Sequence, residues 1–395
     1  MSETPPPTAM SDSVMQGGRP TWAEVDLDAL AWNFHAVRRR VGAGVRVMAV
    51  LKADAYGHGA VECARRLARE GADWFGVATF EEGLELRRAG LREPVLCFGG
   101  FWGADEAAAC VRENLTPVLY RLDMAEALER AARDAGVVAD AHVKIDTGMG
   151  RLGVRHEEAA EFARALRAFP SVRVEGVMTH FAVADDPDRD CFTLDQVTRF
   201  REAVRLFRER GHAPSIEHMA NSAAAFAHPE TRGQMVRPGG VLYGLWRDVL
   251  PNSAGDPDLR PVMSLRSRVV LVKMVHSGET LGYGCTFVAA RETLVATVPV
   301  GYHDGYTRAL SNRGRVIVRG NYAPVVGRIS MDLTLVDVTD VAGVRVGDVV
   351  TLLGEEGALA VPAEDLARTA GTISYEITCG ISHRVPRIYT EAESL

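Results

Sequence analysis

The sequence predicts an α/β protein in which an N-terminal (β/α)8 barrel is followed by a mainly β C-terminal domain. From residue 45 to residue 243, short apolar runs alternate with segments whose apolar residues recur at helical spacing. Beyond Tyr243, helical patterning becomes scarce and Val-rich runs are separated by Gly or Asn turns. A chain of 395 residues is also too long for one ordinary core, so we expect two domains.

The barrel is predicted from eight apolar runs, each short enough to be a buried strand. One of the segments between them carries Val197, Phe200 and Val204 at helical spacing. Another starts with Thr79 and Glu82, which form a capping box. A doubly wound open sheet produces a similar alternation and stays the competing fold. The runs are 46–52, 74–78, 94–98, 117–120, 141–146, 173–180, 215–220 and 234–237.

The first part of the chain divides into a tail and the barrel domain. Residues 1–20 are polar and proline-rich, which predicts a disordered tail rather than a signal peptide. Residues 21–255 are assigned to the barrel domain. Its first elements are a predicted strand at Thr21–Val25 and a predicted helix at Asp28–Arg40.

Residues 256–395 are assigned to the β domain. The segment Pro251–Pro261 is rich in Pro, Gly and Asp and is typical of a linker. One helix is expected around Ala363–Ala370. The Val-rich runs that predict strands lie near 264–275, 293–300, 315–318, 323–326, 333–338 and 346–353.

Composition excludes several classes of protein. The formal net charge of −7 and the absence of a basic block give no reason to expect nucleic acid as a partner. The six cysteines are scattered singly, which argues against a structural zinc site and against a disulfide framework. No apolar run reaches membrane-spanning length, so we expect a cytoplasmic protein with neither a membrane nor a metal as partner.

Polar residues collect where the predicted barrel strands end, and in a barrel these ends meet on one face. Lys52 ends the first strand, and a lysine there can form a Schiff base with a carbonyl compound. Ser222, Gly239 and Gly240 follow the last two strands, where barrels commonly bind phosphate. A lysine that faces a phosphate cradle is what a pyridoxal phosphate site needs. The other strand-end groups are Lys144, Asp146, Arg151, His180, His218, Asn221 and Arg237.

A rival motif points to a dinucleotide. Gly148, Gly150 and Gly153 match the spacing G-x-G-x-x-G between a strand and a helix, and Glu175 lies about twenty residues further on. However, this unit comes fifth in the alternation rather than first, and Arg151 occupies a turn that should approach a pyrophosphate. Glu175 also falls inside its strand rather than at its end, so the dinucleotide interpretation is the weaker one.

A series of motifs occurs in order along nearly the whole chain from about Pro20. The motifs are V-L-K-A-D-A-Y-G-H-G (50–59), K-I-D-T-G-M-G-R-L-G (144–153), T-H-F-A (179–182), N-S-A-A (221–224), R-P-G-G-V-L-Y-G (237–244), G-Y-G-C-T-F (282–287), G-Y-H-D-G-Y-T-R (301–308), G-R-I-S-M-D (327–332), S-Y-E (374–376) and R-V-P-R (384–387). Together they resemble the motifs of alanine racemases, a family that uses pyridoxal 5′-phosphate and has an N-terminal barrel and a C-terminal β domain.

The resemblance implies how the cofactor is held. Lys52 matches the lysine that binds pyridoxal 5′-phosphate covalently, and Arg237 matches the arginine on its pyridine nitrogen. Tyr56, Ser222 and Tyr375 match phosphate-binding positions, with Gly239 and Gly240 supplying backbone amides. Independently of the family, a guanidinium can only donate a hydrogen bond, so Arg237 would leave the ring nitrogen unprotonated and the ring a weaker electron sink.

The resemblance also implies a two-base racemisation of L- and D-alanine, which would supply D-alanine for peptidoglycan. Lys52 and Tyr283 would act on opposite faces of Cα, with Tyr283 coming from the partner subunit of a homodimer. A tyrosine titrates near ~10, so it needs cations or donors nearby to act as a base. His180 and Arg151 match family residues in that neighbourhood.

Further positions match the substrate site of the family. Arg151 and the backbone N–H of Met331 would meet the substrate carboxylate, with Met331 supplied by the partner chain. Lys144 matches a lysine that is often carbamylated. A second set matches the lining of the substrate channel: Asp185, Tyr302, Arg308, Arg328 and Arg387.

The sequence departs from the family pattern at His303, where alanine is usual, and at Gly240, where a larger apolar residue is common. Both departures bear on substrate size. A serine or broad-spectrum racemase therefore stays an alternative, as do a fold-related decarboxylase and a non-catalytic protein that binds pyridoxal phosphate. The Tyr283 segment separates these, because a carrier has no use for a second base.

Overall fold

The computed structural model describes residues 18–251 and 254–392. Most of the tail predicted at 1–20 lies outside these residues. The chain forms two compact units, each described here by itself. The barrel unit consists of Asp26–Val262 and the chain from Tyr389 onward. The β unit consists of the chain up to Val25 and of Met263–Ile388.

The barrel unit contains eight parallel strands, which confirms the predicted fold class. The first strand of the chain, β1 (Thr21–Asp26), belongs to a sheet of the β unit. The barrel strands are β2 (Arg46–Val50), β3 (Trp74–Val77), β4 (Val95–Cys97), β5 (Thr116–Leu119), β6 (Ala139–Asp146), β8 (Val172–Met178), β9 (Ile216–His218) and β10 (Met235–Val236); a short strand, β7 (Val154–Arg155), pairs with β6. The hydrogen-bonded order β10-β2-β3-β4-β5-β6-β8-β9 gives a nearly closed barrel.

Apolar side chains from seven of the barrel strands form one buried cluster. Met48 from β2, Trp74 from β3 and Met178 from β8 belong to one buried cluster, and four further strands each add one apolar residue to it. Parallel strands that are covered on both faces need such near-continuous apolar sequence, which is why the runs were visible in the sequence.

Helices separate the barrel strands. The Thr79–Glu82 capping box is confirmed, since Thr79 Oγ1 accepts from the Glu82 N–H at 3.4 Å and Glu82 Oε2 accepts from the Thr79 N–H at 3.2 Å. Asp26 caps the first helix through its side chain. The helices of this unit are α1 (Leu27–Val41), α2 (Lys52–Gly57), α3 (Ala60–Arg69), α4 (Phe80–Arg88), α5 (Ala104–Arg112), α6 (Leu122–Ala135), α7 (Ala159–Leu166), α8 (Asp190–Glu209) and α9 (Ser222–Ala227).

The β unit is mainly β, as predicted. Its strands are β11 (Met263–Arg268), β12 (Leu271–Val275), β13 (Thr280–Leu281), β14 (Phe287–Val288), β15 (Thr293–Val298), β16 (Arg315–Val318), β17 (Asn321–Pro324), β18 (Thr334–Asp337), β19 (Val349–Glu356), β20 (Leu359–Val361) and β21 (Arg387–Thr390); its helices are α10 (Ala363–Ala370) and α11 (Ser374–Cys379).

Three sheets build the β unit. The largest has the order β17-β16-β19-β11-β1-β21, with β20 beside β19, and the others are β12-β15-β18 and β13-β14. The strand predicted at Thr21–Val25 is β1, and it pairs antiparallel with β11, Thr21 lying opposite Ser267. Among the described residues, no helix has the length and apolarity that crossing a membrane requires.

Candidate active site

The carboxyl ends of the barrel strands bring five of the predicted site residues together. Lys52 follows β2, Lys144 lies near the end of β6, His180 follows β8 and Arg237 follows β10. Lys52, Lys144, Arg151 and Arg237 form what we call the cationic cluster. They are close enough that Arg151, Arg237 and Lys52 each disfavour the charged form of Lys144. Such a concentration of positive charge suits an anionic ligand.

Arg237 is fixed by main-chain oxygens at the centre of this cluster. Only 4% of it is exposed. Nη1 donates to the carbonyl oxygen of His218 at 2.7 Å, and Nη2 donates to those of Thr179 and Met219 at 2.7 and 2.9 Å. Burial lowers the pKa of Arg237, yet a guanidinium stays protonated at neutral pH. Among the described residues, the hydrogen bonds of Arg237 leave from Nη1 and Nη2, so Nε–H is the donor that remains for a ligand.

The cationic cluster shifts the protonation of two neighbouring groups. Burial and then the charges of Arg151 and Arg237 lower the pKa of Lys144 to about 8. Burial is the main reason that the pKa of His180 lies well below its ordinary value, and the positive charge of Arg237 lowers this pKa further. His180 Nδ1 lies 3.5 Å from Nη2 of Arg237, so the ring faces a donor and is neutral. At neutral pH His180 can therefore accept a hydrogen bond near the cluster but adds no charge.

The segment after Lys52 is a turn of left-handed helix. Ala53, Asp54, Ala55 and Tyr56 all have φ between 52° and 56°. Each such residue costs roughly 1–2 kcal/mol in an L-peptide. Local bonds offset this cost: the Ala53 N–H donates to Glu82 Oε1 and the Ala60 N–H donates to Asp54 Oδ1, both at 2.7 Å. Strain held in this way is typical of functional sites.

The left-handed turn places Tyr56 between Lys52 and the loop that follows β10. The Nζ of Lys52 lies 5.9 Å from the centroid of the Tyr56 ring. The ring of Tyr56 also packs on that of Tyr243, with centroids 5.0 Å apart. A Cβ on Gly239 would lie 2.3 Å from the Tyr56 hydroxyl, so only glycine allows this approach. The backbone after Arg237 is therefore kept open beside the Tyr56 hydroxyl.

Ser222 completes this cradle. It is buried at the start of α9, and its Oγ accepts from the N–H of Gly239 at 2.9 Å. A hydroxyl that accepts one hydrogen bond can still donate its own proton. Gly240 opens a short 3-10 turn (Gly240–Tyr243) directly after Gly239. The hydroxyls of Tyr56 and Ser222 and the backbone of Gly240 thus lie beside Gly239, an arrangement that fits a phosphate group.

The β unit carries the other predicted residues, and it exposes most of them. Tyr283 is 71% exposed in a tight turn (Tyr283–Cys285), and Met331 is 50% exposed. The backbone joins the loops of Tyr302 and Met331, because the His303 N–H donates to the Met331 carbonyl at 3.1 Å. The side chain of His303 is exposed. Tyr375 lies in α11 and is half-buried.

The residues predicted to line the substrate channel differ in their settings. Arg328 packs over the turn that holds Tyr283, since a Cβ on Gly284 would lie 2.7 Å from its Nη1. Arg387 donates instead to main-chain carbonyls, among them that of Ser382 at 2.6 Å. Asp185 and Arg308 are exposed.

Sequence reasoning noted the buried His218 only as a strand-end group and missed His142 altogether. His142 and His218 are fully buried, and His142 Nδ1 lies 2.8 Å from His218 Nε2. One signal could have identified His142: it lies two residues before Lys144, and residues two apart share a face of a strand. Among residues 18–251 and 254–392, no group of three or more His, Cys, Asp or Glu could hold a metal ion.

Comparisons with known proteins agree along nearly the whole chain. Residues 25–246 match a family model described as the N-terminal domain of alanine racemase, and residues 262–389 match that of its C-terminal domain. An alanine racemase of Geobacter sulfurreducens is 48% identical over 94% of this chain and 97% of its own.

Solved structures agree as well. An alanine racemase of Clostridium difficile 630 superposes with a TM-score of 0.89 at 37% identity, over 95% of this chain and 97% of its own. A Bartonella henselae alanine racemase, described with covalently bound pyridoxal phosphate, gives a TM-score of 0.83 at 28% identity, over 94% and 99% of the two chains.

Proposed function

Because this chain belongs to the alanine racemase family and is an isomerase, we propose that it interconverts L- and D-alanine on pyridoxal 5′-phosphate. The observation that carries the proposal is that Lys52, Arg237 and a cradle of phosphate donors meet at one end of the barrel. In the proposed mechanism Lys52 and Tyr283 transfer protons on opposite faces of Cα.

The barrel unit fits the cofactor. Lys52 would hold it covalently through its amine, as the Bartonella relative is described with covalently bound pyridoxal phosphate. The Ser222 hydroxyl, the Tyr56 hydroxyl and the backbone at Gly239 and Gly240 would take its phosphate. The bound cofactor supplies a conjugated electron-withdrawing ring that makes the substrate Cα–H acidic. Tyr375, on the β unit, is proposed as a further phosphate ligand on the family motif alone.

Arg237 sets how strongly that ring withdraws electrons. It can only donate, so it satisfies the ring nitrogen without giving it a proton. Its other donors are committed to main-chain oxygens, which holds the guanidinium in one orientation. Arg237 would thereby leave negative charge at the substrate Cα less stabilised, which would disfavour side reactions.

Two bases on opposite faces complete the reaction. Lys52 removes or returns the Cα proton on one side, and Tyr283 does so on the other. Arg151 and the backbone N–H of Met331 hold the substrate carboxylate, and Arg151 with the half-buried, neutral His180 tunes the Tyr283 hydroxyl. Tyr302 borders the substrate. These roles rest on the family motifs, to which the structure adds the proximity of Arg151 to Lys144.

We propose that the active enzyme is a homodimer in which Tyr283, Met331 and Tyr302 act in the partner's site. The support is that the β unit exposes these side chains and several large apolar ones, as a surface that a partner covers would. The exposed apolar side chains include Leu271, Met274, Val288 and Leu333.

Lys144 is proposed to carry a carbamate. A pKa of about 8 gives this amine a neutral fraction that can add carbon dioxide and release one proton. The product is an anion beside Arg151, so it orients that guanidinium and removes one like charge from the cationic cluster. The D-alanine formed is proposed to serve peptidoglycan synthesis in the cytoplasm, as the family resemblance implies.

The test is to incubate the purified protein and pyridoxal 5′-phosphate in D2O with L-alanine or L-serine, separately, and to separate the enantiomers by chiral chromatography. We expect equal D- and L-alanine with deuterium at Cα and little change in serine. Equal conversion of serine would establish the broad-spectrum alternative and direct attention to His303 and Gly240. Absence of exchange with both amino acids would refute racemisation of these substrates.

A further inference from the structure

A line of four polar side chains crosses the interior of the barrel and ends at Arg237. It begins at Glu175 on β8, whose Oε2 lies 3.6 Å from Nε2 of His142. His142 Nδ1 is 2.8 Å from His218 Nε2, and His218 Nδ1 is 3.2 Å from Nη1 of Arg237. Both histidines are completely buried. The proposed function uses only the last member of this line.

The barrel makes room for this line. His142 lies opposite Gly176, and a Cβ on Gly176 would lie 2.7 Å from the imidazole of His142. The register between β6 and β8 shifts at this point: Ala141 faces Val174 while His142 faces Gly176, which leaves Glu175 as the extra residue. A bulge and an interior glycine both weaken a strand, and both commonly re-aim a side chain next to a functional site.

The donor direction along the line follows from Arg237. A guanidinium has no acceptor, so His218 Nδ1 must accept from Nη1. A neutral imidazole with an unprotonated Nδ1 carries its proton on Nε2, which then donates to Nδ1 of His142. The same step at His142 places its proton on Nε2, the nitrogen that lies 3.6 Å from Glu175 Oε2, just beyond hydrogen-bond distance but close enough for the carboxylate to attract the N–H.

A charged His142 is incompatible with this geometry. A charged His142 carries a proton on Nδ1 and would need Nε2 of His218 as an acceptor. A neutral His218 would then carry its own proton on Nδ1, so two donors, this N–H and that of Arg237, would face each other. Burial lowers the pKa of both histidines, with Arg237 adding to the effect at His218. Contact with His142 lowers the pKa of Glu175, so the carboxylate stays ionised.

We propose that Glu175 and His142 are positioning residues that fix, through His218, the orientation of Arg237 against the cofactor. The line has one polarity, Arg237 to His218 to His142 to Glu175, and the carboxylate terminates it. The effect of this line on turnover rests on the proposed function. The protonation pattern of the two histidines is independent of that function.

The test reads the histidine nitrogens directly. In long-range 1H–15N correlation spectra of the 15N-histidine-labelled holoenzyme, His142 and His218 are expected to carry their protons on Nε2 and to stay neutral at pH 7. A proton on Nδ1 of either ring, or a doubly protonated ring, would overturn the proposal. This measurement needs no variant and no activity, so it is independent of whether alanine is racemised.

Variants then test the role of the carboxylate. Glu175→Gln and Glu175→Met should shift the nitrogen resonances of both histidines and the absorption maximum of the bound cofactor. With Glu175→Met, kcat for L-alanine should fall about tenfold while KM changes little. Glu175→Gln keeps the shape of the side chain and guards against loss of the fold. Unchanged His218 resonances, or an unchanged kcat in Glu175→Met, would refute the positioning role.

Glu217→Gln is the matched control. Glu217 lies on the neighbouring strand β9, next to His218, but its carboxylate pairs with Arg208 instead of a histidine of the line. The same loss of charge there should leave both histidines, the cofactor spectrum and kcat as in the wild type. If Glu217→Gln reproduced the changes seen with Glu175→Gln, a general loss of charge would explain them and the proposal would fail.

Discussion

The barrel unit and the β unit present their functional side chains in opposite ways. In the barrel unit Arg237 and Lys144 are 4% and 5% exposed, and the chain itself supplies the partners of Arg237. In the β unit Tyr283 is 71% exposed and Met331 is 50% exposed. Backbone hydrogen bonds hold the loops of these two residues, so the backbone positions are fixed while the side-chain conformations are not.

The difference separates two tasks. Charged groups that are buried need fixed partners, so the barrel unit can assemble its cradle and cationic cluster without help from another surface. Exposed side chains such as Tyr283 keep their rotamer freedom until a second surface covers them. The comparison therefore predicts that removing the exposed Tyr283 hydroxyl affects turnover but not cofactor binding. Changes to the buried cradle should affect cofactor binding, and changes to Lys144 should affect stability.

The largest expected effect comes from Tyr283→Phe in the β unit. Removing the hydroxyl deletes one of the two proposed bases, so kcat for alanine should fall by about 10²- to 10⁴-fold. The affinity for pyridoxal 5′-phosphate and its absorption spectrum should not change. Steady-state racemisation and a cofactor titration measure the two quantities on the same preparation.

Tyr322→Phe is the control for that substitution. Tyr322 is also an exposed tyrosine of the β unit, and its hydroxyl donates to the Ala360 carbonyl at 3.0 Å. This variant should racemise alanine at the wild-type rate. Retained racemisation in Tyr283→Phe would break the comparison, since it would show that the exposed residue is not needed for proton transfer.

The next effect is expected in the barrel unit, from Gly239→Ala. The new methyl group would lie 2.3 Å from the Tyr56 hydroxyl, and overpacking of this kind costs about 1–3 kcal/mol. If the cradle holds the phosphate, the dissociation constant of the cofactor should rise by about ten- to a hundredfold. A fluorescence titration of the apoprotein with pyridoxal 5′-phosphate measures it.

Gly103→Ala provides the matched comparison for Gly239→Ala. Gly103 has an ordinary extended backbone, with φ of −140°, and a Cβ there meets no atom within 4 Å. Its affinity for the cofactor should equal that of the wild type. Adding Tyr56→Phe to Gly239→Ala removes the clashing oxygen and should recover part of the affinity if the clash is the cause.

The two units also differ in how far the sequence predicts them. The order of the barrel strands follows from the alternation of buried apolar runs and helical segments. Lys52 and Arg237 could be predicted as site residues because they lie at strand ends, and the carboxyl ends of parallel barrel strands form one functional face. In the β unit the existence of strands was predictable, but the pairing of β1 with β11 was not. Antiparallel partners so distant in sequence leave no local signal.

Two features of the barrel unit itself were beyond sequence reasoning. The left-handed turn of Ala53–Tyr56 contains no glycine, so nothing in its residue types announces positive φ angles. The pairing of His142 with Glu175 depends on a shift of register between β6 and β8, which period-two patterning does not reveal. Both depend on contacts made only in the folded barrel.

The smallest expected effect concerns the stability of the barrel unit and its dependence on pH. Burial and the neighbouring cations lower the pKa of Lys144 to about 8, whereas an unfolded lysine titrates near ~10.4. Below about pH 8 both states bind the proton, so the cost of charging the buried amine is constant and fully present. Between about pH 8 and 10.4 the unfolded state binds more protons, and the free energy of unfolding therefore rises with pH.

Lys144→Met should remove this dependence. In urea unfolding of the apoprotein in carbonate-free buffer, the variant should be about 1–2 kcal/mol more stable than the wild type at pH 7. The difference should shrink toward zero by about pH 10. Adding bicarbonate at pH 8.5 should stabilise the wild type alone, since the variant lacks the Lys144 amine on which the carbamate is proposed to form. A difference that stayed constant from pH 7 to 10 would show that Lys144 titrates as an ordinary lysine. The burial of Lys144 beside other cations would then not distinguish the barrel unit from the β unit.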